Sequence, residues 1–222
     1  MMRVVLDGIG GAIRIGMKIL VSLFWRGWNK NWGAIGDEGS KVIAGDGIVP
    51  QPKSQFTCGI GINAPPREVW PWLVQIGCQR GGWYSYDLLD NGGVASADRI
   101  LPEFQQLAVG DPVYATRDGK LSFPVVEILP EKALVLGGTI DTKTGKGAVY
   151  READMQAYFS GGMAFAVEEQ ADGTTRLLFR SRQDWNEGNL NNLLYGRFLE
   201  PIAYEMTRKT LKTLKSRIEA GK

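Results

Sequence analysis

Aromatic, carboxylate and guanidinium side chains lie close together near the middle of the sequence. Trp83, Tyr84 and Tyr86 offer large rigid surfaces with polar tips, and Asp87 follows them directly. Such side chains suit the recognition of a mostly apolar ligand that carries one or two oxygens. They could equally pack a short helix onto the rest of the protein. We expect at least one of the aromatic residues to line a pocket and at least one to pack.

Two further charges follow this cluster. Asp98 and Arg99 precede the apolar pair Ile100-Leu101, so we expect them to be partly buried and therefore paired. In one interpretation, Asp98 or Asp87 forms a structural ion pair with Arg80 or Arg99 and holds a loop over a pocket. In the other, Arg99 binds a ligand carboxylate or enolate while a tyrosine of the cluster transfers a proton.

Composition excludes several kinds of chemistry. The chain has no histidine, which rules out Ser-His-Asp triads, Cys-His pairs and HExxH zinc helices. Cys58 and Cys78 lack CxxC spacing, so we expect no metal and no cofactor. Two buried free thiols favour a reducing, cytoplasmic compartment. A net charge of +2, from 26 basic and 24 acidic residues, argues against nucleic acid as a partner.

Residues 1–30 predict a basic amphipathic helix, and no uncharged run in them reaches the ~18 apolar residues that a membrane span needs. The helix could lie on the inner face of a membrane, with Trp25, Trp28 and Trp32 at headgroup depth. Alternatively its apolar face packs on the protein's own domain or on a second subunit. The basic face comprises Arg14, Lys18, Ser22 and Arg26, and the apolar face Ile13, Met17, Leu20, Val21 and Phe24.

Residues 31–54 predict an irregular connector, and residues 55–222 predict one α+β domain. Period-two alternation indicates a strand over 56–62, and helical spacing follows Pro65-Pro66. A second short helix is predicted over 83–89, and Asn189 begins a long C-terminal helix that Pro201 should kink. Short antiparallel strands are predicted at 112–115, 121–129, 133–137, 163–169 and 174–182.

Five segments in this order resemble the START-like (SRPBCC) superfamily, in particular its polyketide cyclase/dehydrase-like branch. The similarity extends over roughly three quarters of the chain. It implies the helix-grip fold, also called START-like or Bet v 1-like, in which a curved antiparallel sheet wraps around a long C-terminal helix and leaves an apolar cavity. It also leaves room for a ligand-facing guanidinium at Arg180. The segments are INAPPREVWPWLVQIG (62–77), RGGWYSYD (80–87), ADRILPEFQQLAVGD (97–111), FRSRQDW (179–185) and LEPIAYEM (199–206).

Three functions follow as expectations, because a shared fold does not transmit an activity. The first is a non-catalytic protein that binds or carries a hydrophobic, lipid-like or polyketide-like molecule, with peripheral membrane contact through residues 1–30. The second is a cofactor-independent enzyme of the cyclase or dehydratase type. The third is a membrane-tethered interaction domain without a ligand. The missing histidine counts against the second.

Overall fold

The computed structural model describes residues 2–24, 30–148, 150 and 157–221. Trp25, Arg26 and Trp28, which the sequence assigned to the amphipathic helix, lie outside these ranges. The helices are α1 (Met2–Phe24), α2 (Pro66–Val74), α3 (Asp87–Asp90), α4 (Asn189–Leu193) and α5 (Glu200–Ala220). The strands are β1 (Ser54–Ile62), β2 (Pro112–Tyr114), β3 (Ser122–Leu129), β4 (Ala133–Asp141), β5 (Gly147–Ala148), β6 (Tyr158–Glu169) and β7 (Thr175–Trp185).

The strands form one antiparallel sheet in the order β1-β7-β6-β4-β3-β2, with β5 paired to β4. The sheet is curved, and α5 lies along its concave face against β1. Tyr204 of α5 meets Phe56 of β1 edge to face at 5.5 Å, and Leu211 and Leu214 are fully buried in the same core. This is the helix-grip fold, so the fold expected from the resemblance is confirmed.

The C-terminal helical run is continuous but changes its winding. A π-helical turn over Leu194–Leu199 separates α4 from α5, immediately before Pro201. Proline has no N–H and clashes with the carbonyl four residues earlier, so the carbonyl of Arg197 cannot make its α-helical bond. The hydroxyl of Ser22 donates to that carbonyl at 2.8 Å, and the Arg197 guanidinium donates back to the carbonyl of Ser22. Two helices from opposite ends of the chain are thereby joined.

The connector covers the convex face of the sheet. Its carbonyls at Lys30 and Trp32 accept hydrogen bonds from the N–H groups of Thr57 and Gly59, at 3.0 and 2.9 Å, along the free edge of β1. The Trp32 ring packs under the cations of α5, with Arg208 5.2 Å from its centroid. The Trp32 ring, which the sequence suggests for headgroup depth, is therefore partly buried against the domain under α5.

Arginines of β7 hold the connector on the convex face through ion pairs and hydrogen bonds. Arg176 forms a two-bond pair with Glu38, at 2.8 and 2.7 Å. Arg180 is 2% exposed and donates to Asp46 Oδ2 and to the carbonyls of Lys41 and Glu38, each at 2.7 Å. The suggestion that Arg180 faces a ligand on the concave side is wrong, since strand alternation turns its side chain to the other face.

Helix α1 confirms the predicted amphipathic pattern but packs in an unexpected way. Gly8 and Gly11 are buried against α3 and the segment before it, and Ser22 is buried against the π-helical turn. The apolar face points away from the domain, so the interpretation in which it packs on its own domain is wrong. Its residues Ile13, Met17, Leu20, Val21 and Phe24 are all exposed.

Three element predictions need correction. The helix expected over 83–89 is a single turn from Asp87, because Tyr84 adopts a left-handed φ of 58° that a helix cannot contain. Strands β4 and β6 are longer than predicted, since Gly137, Gly138, Gly161 and Gly162 continue the ladder without apolar side chains to signal it. Strand β5 was not predicted.

Candidate functional site

One row of residues across the concave face lacks the bulk of the core. Ser54 of β1 pairs with Gln183 of β7, which pairs with Gly161 of β6, which pairs with Gly138 of β4. The next inward row carries Phe56, Ser181, Met163 and Leu136. Gly138 and Gly161 are partly exposed. Because the two adjacent glycines carry no side chains, the concave face is lower here than in the next row, and we call this part of the face the hollow.

The two polar side chains of this row are buried, and one oxygen atom of each lacks a hydrogen-bond partner among the described residues. Ser54 is 3% exposed and Gln183 is 7% exposed. Among the described residues, neither Ser54 Oγ nor Gln183 Oε1 has a hydrogen-bond partner, while Gln183 Nε2 donates to Ser181 Oγ at 3.3 Å. Leaving a buried polar atom unpaired costs about 1–3 kcal/mol. A hydroxyl and an amide oxygen thus face the apolar interior with free hydrogen-bonding capacity.

An aromatic wall closes one side of the hollow. The π-helical turn presents Tyr195, whose ring lies 4.8 Å from that of Phe159 and 5.4 Å from that of Trp185. The Trp185 indole is held by a bond from its Nε1 to Asn192 Oδ1 at 2.8 Å. A side chain added at Gly161 would meet the Phe159 ring at 3.2 Å. The wall and the glycine floor are therefore in direct contact.

The three aromatic residues of the predicted cluster lie in different parts of the fold. Trp83 is half-buried over β2 and β3, with its ring edge-on to Phe123 and its Nε1 donating to the carbonyl of Tyr114 at 3.1 Å. Tyr84 is fully buried, and its hydroxyl accepts a bond of 2.7 Å from Gln75 Nε2. Burial raises the pKa of Tyr84 to about 12. Tyr84 is a packing residue, and Trp83 borders the concave interior.

Tyr86 lies under α1 and not in the hollow. It is 1% exposed; its hydroxyl donates to Glu205 Oε1 at 3.2 Å and accepts from the guanidinium of Arg14 at 3.4 Å. Burial raises its pKa, although Arg14 opposes that change. The Glu205 carboxylate is also paired with Arg208 at 2.9 Å. Tyr86 therefore links α1 to α5 through a charged network.

The predicted charged residues have local structural partners. Asp87 Oδ1 accepts a bond from the N–H of Ser96 at 3.1 Å, which shapes the loop after α3. Arg80 donates to the carbonyls of Val74 and Phe104, at 3.1 and 2.7 Å, rather than pairing with Asp98. Asp98 and Arg99 are exposed. The expected ion pair between Arg80 and Asp98 is wrong, because the guanidinium points to these backbone carbonyls while Asp98 is exposed.

The sequence analysis missed Ser54, Gln183 and Asp90. A signal was present for Gln183, since it and Ser181 interrupt the inward-facing apolar series Leu177, Phe179 and Trp185. Both carboxylate oxygens of Asp90 are buried without hydrogen-bond partners within the described part of the chain. Burial, reinforced by repulsion from Asp87, raises the pKa of Asp90 to about 7.

A second depression lies at the far end of the sheet, with a volume of about 660 Å³. It is bounded by connector residues 42–44, the start of α2, the β3–β4 turn and the end of β6. Charges of both signs line it, and it contains none of the predicted site residues. Within the described ranges, no three His, Cys, Asp or Glu side chains are grouped to hold a metal ion.

No family model matches the chain, and no curated protein matches it. Solved structures do match. Protein MLL2253 from Mesorhizobium loti is 13% identical, over 76% of this chain and 99% of its own, with a TM-score of 0.41. Protein NE0264 from Nitrosomonas europaea is 16% identical, over 76% and 96%, with a TM-score of 0.42. DynU16, a protein of the dynemicin biosynthetic locus, is 12% identical, over 77% of this chain and 49% of its own, with a TM-score of 0.43.

Proposed function

We propose that this protein binds a small, mostly apolar molecule in the hollow between the concave face of the sheet and the C-terminal helical run. The observation that carries the proposal is the buried, unpartnered pair Ser54 Oγ and Gln183 Oε1 within an otherwise apolar surface. Buried polar atoms are almost always hydrogen-bonded, so such a pair needs an explanation. A bound molecule with a hydroxyl or carbonyl group would supply the missing bonds.

The chemistry of the lining defines the class of ligand. Gln183 Oε1 can only accept a hydrogen bond, whereas the Ser54 hydroxyl can donate or accept. The surrounding rings of Phe159 and Tyr195 favour a flat or branched hydrocarbon body. We therefore propose a lipid-like or polyketide-like molecule with one or two oxygens, held by its polar end near β1 and β7.

We also propose that the chain belongs to the START-like superfamily, in its polyketide cyclase/dehydrase-like branch. The motifs quoted above and the helix-grip architecture support it. A catalytic role for the predicted tyrosines has less support, because Tyr84 is fully buried and its pKa is raised to about 12. A phenol that holds its proton so tightly is a poor proton shuttle near neutral pH.

The test begins with protein purified from its own cells, whose small molecules are identified by native mass spectrometry and solvent extraction. The molecule found is then titrated against the wild type and three variants. Gly161→Leu should abolish binding by filling the hollow. Gln183→Leu should weaken binding by about 3–10-fold, the value of one lost hydrogen bond. Gln170→Leu, in an exposed turn, is the matched control and should change nothing.

Two outcomes would contradict the proposal. One is wild-type protein that carries no small molecule and takes none up from a total lipid extract of the same cells. The other is a Gly161→Leu variant that keeps the wild-type melting temperature and still binds the identified molecule with unchanged affinity. The second result would locate binding outside the hollow.

A further inference from the structure

The outward face of α1 is an uninterrupted apolar stripe. Its members recur at intervals of three or four residues, which places them along one side of a helix about 35 Å long. Each is more than half exposed, in a range from 51% to 84%. The stripe consists of Met2, Leu6, Ile9, Ile13, Met17, Leu20 and Phe24.

The orientation of the stripe is set by close contacts on the opposite side of the helix. A side chain at Gly11 would meet the Tyr86 ring at 2.5 Å, and one at Gly8 would meet Leu88 at 2.6 Å. Asp7 pairs with Lys209 of α5 at 2.9 Å, and Ser22 bonds to the carbonyl of Arg197. Because these residues and the buried Ile15 dock the helix, its apolar stripe is held away from the domain.

The apolar surface continues beyond α1. The bond from Ser22 to Arg197 brings the end of α1 beside α4 and the π-helical turn. Tyr195 of that turn belongs to the wall of the hollow. The exposed apolar residues of α4 and the π-helical turn therefore lie close to the end of α1. These residues, 36–74% exposed, are Leu190, Leu193, Leu194, Phe198 and Leu199.

The charge at the border of the stripe is positive. Arg3 is exposed along one of its edges, and Arg14 is exposed farther round the helix, where its guanidinium donates to Tyr86 on the docking side. Asp7 is the only acidic residue of α1, and its charge is compensated by Lys209. A second copy of the helix would need carboxylates facing these arginines, as paired helices usually supply. Anionic lipid headgroups supply such charge without any matching protein surface.

We propose that α1 docks flat on an anionic membrane, with its apolar stripe at the level of the acyl chains and Arg3 among the headgroups. In this arrangement α4 and the π-helical turn also touch the membrane. In the described residues, no helix has the length and hydropathy to cross a bilayer, which agrees with a helix lying in the interface. The docking stands independently of what the hollow binds.

Vesicle co-sedimentation of the full chain tests the proposal, with phosphatidylcholine vesicles that contain or lack 30% phosphatidylglycerol, on the order of a natural anionic content. Replacing Ile9, Ile13 and Met17 together by serine should lower partitioning at least tenfold, because each fully buried apolar side chain is worth about that factor. The control is the triple serine variant of Val42, Val109 and Leu121, which are exposed elsewhere. It should sediment as the wild type does.

The charge contribution has its own variant. Arg3→Gln should weaken binding to the anionic vesicles about fivefold and leave binding to the neutral vesicles unchanged. Full-length protein that stays in the supernatant with both vesicles would overturn the proposal, as would a stripe variant that binds like the wild type. A concentration-dependent dimer in sedimentation equilibrium, abolished by the stripe variant and accompanied by no vesicle binding, would assign the stripe to a second copy instead.

Discussion

The buried carboxyl of Asp90 should make the stability of the protein depend on pH in an unusual direction. Asp90 ends α3, and the thiol of Cys78 donates to its backbone carbonyl at 3.0 Å. Neither of its side-chain oxygens has a hydrogen-bond partner among the described residues, and burial raises its pKa to about 7 from an ordinary value of 3.8. The neighbouring Ser85 hydroxyl lowers the pKa in part without forming a hydrogen bond of normal geometry, and burial outweighs it.

The sign of the effect follows from proton linkage. A carboxyl whose pKa is higher in the folded state binds protons more tightly when folded, so it favours folding below about pH 4. That contribution is lost as the pH rises to about 7. A rise from 3.8 to about 7 corresponds to about 4 kcal/mol at 1.36 kcal/mol per pKa unit. Since Asp90 is not fully buried, we expect about 2–4 kcal/mol of the free energy of unfolding to be lost between pH 4 and pH 8.

Asp90→Asn removes the ionisation and isolates its contribution. The variant should match the wild type at pH 4 and exceed its free energy of unfolding by about 2–4 kcal/mol at pH 8. Urea unfolding followed by tryptophan fluorescence, at intervals of one pH unit, measures both curves. Asp118→Asn is the control. Hydrogen bonds from Thr116 and Lys120 lower the pKa of this exposed carboxyl to about 2, so removing its charge should not stabilise the fold. A difference below about 0.5 kcal/mol between Asp90→Asn and the wild type at pH 8 would refute the reasoning.

Three further variants or probes test other parts of the fold. Arg180→Leu should lower the free energy of unfolding by about 3–5 kcal/mol in urea titrations, because it removes the cation closest to the largely buried Asp46 carboxylate. A decrease of less than about 1 kcal/mol would contradict this expectation. Gly11→Leu should displace α1 from Tyr86, because the new side chain would clash with the ring. Limited proteolysis should then cut α1 several-fold faster, while the melting temperature of the rest of the domain stays the same. An unchanged cleavage rate would show that the contact between Gly11 and Tyr86 does not hold α1. Burial raises the pKa of the Cys58 thiol to about 12, so a thiol reagent should label Cys58 only after unfolding, and rapid labelling of the native protein would count against the packing of β1.

The strands were predictable because their signal is local. Strand β1 alternates apolar and small residues, and the same alternation in β7 places Leu177 and Phe179 in the core. The helix expected at Trp83 failed for a reason that no local pattern shows. The backbone reverses at Tyr84 because Gly77 and Gly82 are bridged and Gln75 holds the Tyr84 hydroxyl. These contacts form only in the folded protein, so the local sequence pattern does not predict them.

The hollow was harder to predict than the fold. The residues predicted to bind a ligand were polar groups near aromatic rings. In the fold these groups have local partners, as Tyr84 has in Gln75 and Arg80 in backbone carbonyls. Ser54 and Gln183 become neighbours only when the first and last strands pair. Their importance lies in the partners that they lack, and a missing partner leaves no trace in a single sequence.

Helix α1 shows what an amphipathic pattern does and does not determine. The pattern predicts a polar and an apolar face, and in most globular proteins the apolar face of such a helix packs on the core. In this chain the docking side carries glycines, a serine, charged residues and the buried Ile15. Gly11 lies against Tyr86, and Ser22 bonds to Arg197. Small residues on the less apolar side of a helix permit such close approach. An apolar stripe left free by that arrangement is best explained by a surface outside the chain.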